Sequence, residues 1–194
     1  MIKAKMSDKK WVTGMLASSF SDNPSVNYIL SGDRRRPERI LALMDYSFEL
    51  CMRFGEVWLS DDRRGCALLL FPQHKRTTLS SIWLDLKLVL GAVGLGRIGK
   101  VLRRERLVSG KQPKAAMAYL WFIGVDPLYQ HAGLGSVLLN ELLKRADDLA
   151  LPVYLETSVA ANLPWYERFG FKVYDELDLG YRLSFLVKPL TAYA

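Results

Sequence analysis

The sequence predicts an α/β fold, a sheet with helices packed on it and a ligand at the strand ends, and three observations carry that expectation. The run Ala118-Tyr119-Leu120-Trp121-Phe122-Ile123-Gly124-Val125 is almost continuously aromatic and branched, the pattern of a strand buried on both faces. It leads through Asp126-Pro127 into a glycine-rich turn and then a helical repeat. Strand, helix, strand, helix and strand then follow one another within about 70 residues.

From the N-terminus, Lys9 to Phe20 reads as a short helix, closed by the turn-prone Ser21-Asp22-Asn23-Pro24, and Ser25 to Leu30 as a second. Pro37 suits a helix start, and Ile40, Leu41, Met44, Phe48 and Cys51 recur at helical spacing as far as Gly55. The period then changes. Glu56 to Ser60 and Cys66 to Phe71 are short apolar runs flanking Asp61-Asp62-Arg63-Arg64-Gly65, the signature of a hairpin, with Pro72 closing its second strand. Helical character returns from Leu79 to Leu107 and breaks at Gln112-Pro113-Lys114. After the glycine turn, Val137, Leu138, Leu142, Ala146 and Leu149 mark one helix face, and Pro152 stops that helix. Val153 to Ser158 reads as a strand, Leu163 to Phe169 as a short helix, and Phe171 to Tyr174 and Tyr181 to Val187 as the last strands.

At 194 residues, half of them apolar, the chain has the size and composition of one folded domain spanning 1–194. Its net charge of +7 is lopsided: residues 1–115 carry +10 and residues 116–194 carry −3. A basic front half suits an anionic partner, either a phosphorylated cofactor, nucleic acid or lipid. Cys51 and Cys66 are too few for a disulfide framework and lack metal-ligand spacing, and His74 and His131 stand far apart, so no metal site is expected. The first ten residues lack a secretory apolar region, and the window Ile82 to Gly96 is interrupted by Asp85 and Lys87, so a cytoplasmic protein without a membrane partner is expected.

The chemistry concentrates in Gln130-His131-Ala132-Gly133-Leu134-Gly135-Ser136. Glycines let backbone approach a ligand and adopt positive φ, and the first helical turn presents unpaired N–H groups at the positive end of the dipole. The amides of His131 to Ser136 can therefore cradle a diphosphate; the alternative is a tight strand-to-helix turn with no ligand.

This turn, together with Asn162-Leu163-Pro164-Trp165-Tyr166-Glu167-Arg168-Phe169-Gly170-Phe171 in the same order after a strand, resembles the motifs of the GNAT superfamily of N-acetyltransferases. Leu155-Glu156-Thr157-Ser158, Phe20-x-Asp22-x-Pro24 and Gly55-Glu56-Val57-Trp58-Leu59 look like its puromycin N-acetyltransferase branch. The likeness is specific over 118–174 and looser over 15–72, and the helical insert at about 75–115 matches only in being helical. The resemblance implies a mixed central sheet with helices on both faces and an opening beside the fourth strand. It implies acetyl-CoA as cosubstrate, held by Ile123, Val125, Gln130 to Ser136 and Asn162, and direct transfer to a small primary amine in a ternary complex. The alternative is a CoA-binding sensor without catalysis.

Acetyl transfer needs donors for the developing oxyanion, a base for the ammonium and an acid for the leaving thiolate. The resemblance places the first on backbone N–H groups around Phe122 to Val125, where Gly124 suits a bulge, and the last on Tyr166. The alternative for Tyr166 is a core tyrosine with its hydroxyl at the rim, and Asn162 can also serve as an N-cap for the helix at Leu163. Glu156 is the candidate base, or else a structural carboxylate; Tyr119, Tyr28 and Glu56 are further candidates for the acceptor pocket. Gly94-Leu95-Gly96-Arg97-Ile98-Gly99 matches a dinucleotide fingerprint but follows a helical run, so it reads as a break between helices. Arg97, Lys100, Arg103, Arg104 and Arg106 could bind phosphate or a membrane surface, though such runs more often form a solvated face. No nucleic-acid partner is expected, and the insert is where acceptor specificity or a homodimer contact would reside.

Overall fold

The computed structural model describes residues 1–30 and 32–190. Among these, seven strands form one sheet: β1 (Ile2–Lys3), β2 (Gly55–Leu59), β3 (Gly65–Leu70), β4 (Ala118–Val125), β5 (Val153–Thr157), β6 (Lys172–Asp178) and β7 (Arg182–Lys188). Their order is β1-β2-β3-β4-β5-β7-β6, antiparallel everywhere except the central β4–β5 pair. The helices are α1 (Lys9–Ser19), α2 (Pro24–Ile29), α3 (Arg36–Phe54), α4 (Leu79–Leu88), α5 (Ile98–Lys111), α6 (Leu134–Asp148) and α7 (Leu163–Glu167).

Helices cover both sheet faces, as expected. Alternate side chains of β3 serve different cores: Leu68 and Leu70 pack with Val12, Leu16, Met44 and Phe48 of α1 and α3, whereas Ala67 and Leu69 pack with Leu138, Leu139 and Leu142 of α6. That division explains why every residue of β3 is buried and why the run reads as continuously apolar. A smaller core joins Val108 of α5 to Leu183 and Phe185 of β7. Two residues assigned to inward faces point outward, Leu41 and Val137; Leu43 and Leu139 are buried instead. The short β1 carried no periodic signal, and β6 runs on to Asp178.

Two irregularities position the site. The β3–β4 register places Leu69 opposite Leu120 but Leu68 opposite Phe122, so the bulge lies at Trp121 and not at Gly124. The β4–β5 pairing contains only Ala118–Val153 and Tyr119–Tyr154, although both strands continue beyond it. The sheet therefore opens in its middle.

Between β3 and β4 the chain is helical. A π-turn at Val89–Val93 follows α4, Gly94 takes a φ of 78°, and α5 leaves at 96° to the first helix. The glycine-rich sequence is thus a corner between helices, since no strand feeds it.

Candidate active site

The glycine turn emerges from β4 as the sequence suggested. Gly133 sits at φ 81° and His131 at φ 63°, which reverse the chain so that α6 starts pointing back along the sheet. Among the described residues, no protein group accepts from the amides of His131, Ala132, Gly133, Leu134 or Gly135. Five consecutive N–H groups at the N-terminus of a fifteen-residue helix thus stand without a protein acceptor, an arrangement whose positive dipole end favours an anion. The Ser136 amide does not belong to it: it donates to the Gly133 carbonyl at 2.9 Å. The Ser136 hydroxyl accepts instead from the Trp165 indole at 3.0 Å, a link that ties α7 to the turn and that no sequence pattern signalled.

A groove of about 960 Å³ runs from this turn along β4, lined by Gln130, His131, Gly133, Leu134, Gly135 and Ser136 and by Ile123 and Val125. Ala132 does not line it. Gln130 Nε2 donates to the Val125 carbonyl at 3.2 Å, and Ser19 Oγ donates to the same oxygen at 2.9 Å. The phase of β4 follows from two bonds. Ala118 N–H donates to Pro152 on the β5 side, and Asp126 N–H donates to Arg64 on the β3 side. With one extra residue at Trp121, alternation turns Phe122 and Gly124 toward β3 and aims the Ile123 and Val125 N–H groups into the opening.

On the other side of that opening lies a chamber of about 320 Å³ between β4, β5, α2, α3 and α5. Groove and chamber share Phe20, Asn23, Ile123, Asn162 and Tyr166. Tyr166 is buried and packs edge-on against Trp165 and Phe171, yet no protein group bonds its hydroxyl among the described residues. Burial pushes its phenol above the ordinary tyrosine range, so it keeps its proton at neutral pH. Asn162 begins α7 but makes no capping bond, which leaves its side chain to the junction.

Glu156 faces the chamber from β5. Its carboxylate accepts from Gln112 Nε2 at 2.7 Å and from the Tyr119 hydroxyl at 2.9 Å. Burial raises its pKa above the usual carboxylate value; the bonds from Gln112 and Tyr119 and the nearby Arg104 charge offset this only in part. Gln112 stands just beyond α5, and that helix also contributes Arg104, Glu105 and Val108 to the chamber wall.

Arg104 is the largest departure from the sequence reading. Its neighbours in the sequence predict a solvated basic face, but the residue is buried; Nη2 donates to Ser25 Oγ at 2.7 Å, Nε to the Tyr181 hydroxyl at 3.1 Å and Nη1 to Glu105 at 2.6 Å. These bonds pin α5 to α2 and to the loop before β7. Arg97 and Lys100 are also engaged, one bonding the Tyr28 carbonyl at 2.7 Å and the other lying 3.9 Å over the Tyr28 ring. Tyr28 itself lies outside the chamber lining, whereas Tyr119 is within it. Glu56, a candidate for the same pocket, is elsewhere: it is buried on β2 and takes two bonds from Arg145 of α6, at 2.8 and 3.0 Å. Both cysteines are buried, and among the described residues no group of His, Cys, Asp and Glu could hold a metal ion.

Residues 42–171 match the acetyltransferase (GNAT) family. An uncharacterized N-acetyltransferase of Schizosaccharomyces pombe is 25% identical over 180 residues, covering 87% of this chain and 72% of the yeast protein. Among solved structures, a histone acetyltransferase HPA2 and related acetyltransferase from Corynebacterium glutamicum superposes with a TM-score of 0.68 at 20% identity, over 98% of this chain and 95% of that one. Arylalkylamine N-acetyltransferase 2 from Aedes aegypti gives 0.66 at 16% identity, over 98% of each chain. These likenesses between structures concern the fold.

Proposed function

The chain belongs to the acetyltransferase (GNAT) family, and on that premise we propose that it transfers an acetyl group from acetyl-CoA to a primary amine of a small molecule, by direct attack in a ternary complex. The observation that carries this reading is the meeting of an amide-lined groove and a carboxylate-bearing chamber at a junction that includes Ile123, Asn162 and Tyr166. The free amides of residues 131–135 suit the cofactor's diphosphate. The Ile123 and Val125 N–H groups and Asn162 suit the pantetheine arm and thioester farther along.

Glu156 takes a proton from the ammonium of the acceptor, directly or through water. The freed amine attacks the thioester carbonyl, and charge developing on its oxygen faces the Ile123 N–H. The C–S bond then breaks as Tyr166 gives its proton to the leaving sulfur, and the second proton on the acylated nitrogen returns to the Tyr166 oxygen directly or through water. The N-acetyl amine and CoA depart before Glu156 releases its proton to solvent. A raised carboxylate pKa suits the base, because it moves toward the pH at which the proton must be taken. The helical segment 75–115 acts as the acceptor-side wall of a single acetyltransferase domain. The likeness to the puromycin N-acetyltransferase branch fits an acceptor that is itself a compact, partly aromatic amine, given Tyr46, Trp121 and Phe122 in the chamber.

Thiol release from acetyl-CoA across a panel of primary amines tests the reaction. Tyr166→Phe should lower kcat by about tenfold or more while acetyl-CoA affinity measured by calorimetry stays unchanged. Wild-type turnover in that variant would remove Tyr166 from the mechanism. Cofactor binding without thiol release for any amine would leave a sensor in place of an enzyme.

A further inference from the structure

Helix α4 is apolar on two faces. Ser81 and Leu84 are buried beneath it, as a helix packed on α3 requires. The opposite face should be polar, yet Leu79, Ile82, Trp83 and Leu86 are 88, 52, 56 and 45% exposed, and Leu90 of the following turn is 59% exposed. At 100° per residue these five side chains fall within a single stripe about 100° wide. Leu95, at the corner after Gly94, is 72% exposed as well. Water contacts most of six large apolar side chains here, which is unusual for a free surface.

The charge around this face is equally one-sided. Residues 75–115 hold ten Lys/Arg and two Asp/Glu; Arg97, Lys100, Arg104 and Lys111 are engaged on other elements, and the rest include the cations beside the stripe. Lys75 and Arg76 precede the stripe and are exposed, and Lys87 borders it with its ammonium 5.9 Å from the Trp83 ring. The one carboxylate of α4, Asp85, is turned away and accepts from the Tyr46 hydroxyl at 2.8 Å. Arg103 and Arg106 are exposed on α5 beside Leu102, itself 60% exposed.

We propose that this face docks on an anionic lipid bilayer, with Leu79, Ile82, Trp83, Leu86 and Leu90 entering the interface and the flanking lysines and arginines meeting the headgroups. The combination of an apolar stripe carrying a tryptophan and a basic border is what a helix lying in the membrane plane needs. The charge decides against a second copy as the occupant, since pairing this face with itself would bring Lys75, Arg76 and Lys87 of the two copies together. No single described helix is long and apolar enough to cross a bilayer, and the bent pair formed with α5 turns through 96°, a geometry suited to lying along a surface. This inference is independent of the acetyl-transfer reading.

Co-sedimentation of the full chain with vesicles tests it. Binding is expected to phosphatidylcholine vesicles containing about 30% phosphatidylserine, and to weaken at least tenfold in pure phosphatidylcholine or at raised salt. Leu86→Glu together with Leu90→Glu places charge on the stripe without touching the core and should reduce binding about tenfold or more. Circular dichroism and acetyl-CoA affinity should remain as in wild type. Failure to bind the anionic vesicles, or binding that the double variant leaves unchanged, overturns the proposal. So does a dimer in sedimentation velocity that the double variant dissociates, because a second copy would then own the face.

Discussion

Two glutamates of the same sheet, a hundred residues apart, are held in opposite states. Glu56 on β2 lies where the strands are fully paired, and Glu156 on β5 lies where they part. Burial alone would raise both. At Glu56, bonds from Arg145, Lys3 and Trp58 reverse that and hold the carboxyl down to about 2. At Glu156 the bonding partners are neutral, Gln112 and Tyr119, and the carboxyl stays above its usual value. Cationic partners make a buried carboxylate a fastener; neutral donors leave it able to exchange a proton. The closed half of the sheet thus contributes stability, and the open half holds a group at some cost to stability.

Glu156→Gln probes the contrast most strongly. If Glu156 is the general base, its loss should lower kcat by about 100-fold or more and abolish the acid limb of the pH–rate profile, the fall expected of the wild type as pH drops through the raised carboxyl pKa. Because an acid with a raised folded pKa costs stability above that pKa, the variant should also melt at a higher temperature at neutral pH. An unaltered pH–rate profile would assign the base elsewhere. Gly133→Glu comes next, placing a carboxylate among the free amides; acetyl-CoA affinity should fall about 30-fold, on the order of 2 kcal/mol. Gly133→Asn tolerates the positive φ without adding charge and serves as the control. Equal affinity in calorimetry would remove the diphosphate from the turn.

On the closed side, Glu56→Gln should leave kcat intact and cost on the order of 2 kcal/mol at neutral pH, allowing for the solvent-exposed side of Arg145. Glu56 has a lowered pKa, so its contribution is present above the ordinary 4.5 and is lost as pH falls toward about 2. Denaturant melts of wild type and variant should converge over that interval. A kinetic defect at neutral pH would break the division between the two halves. Arg104→Met is the mildest: it frees α5 from Ser25 and Tyr181 and should raise the acceptor KM roughly fivefold, about 1 kcal/mol, with cofactor affinity unchanged.

Much of this was legible beforehand for reasons of periodicity. The hairpin at β2 and β3, the buried β4 and the turn into α6 announce themselves through alternation, an apolar run and paired glycines. What the sequence hides is set by contacts across elements. The bulge at Trp121 depends on the register against Leu68 and Leu69, so Gly124, the residue whose type suits a bulge, pointed to the wrong place. Arg104 is one of five basic residues in ten, and only the hydroxyls of Ser25 and Tyr181, far away in the chain, mark it as buried. The Ser136 amide looked like its neighbours until the Gly133 carbonyl engaged it.

Helix α5 anchors Arg104 at one point, and Gln112, immediately past its end, reaches Glu156. The stretch between those anchors therefore works as a ruler. Deleting one residue from it would swing everything beyond by about 100° and draw it back about 1.5 Å, separating Gln112 from the carboxylate while leaving the sheet untouched. Variation in this part of the chain should favour exchanges of side chains over changes of length.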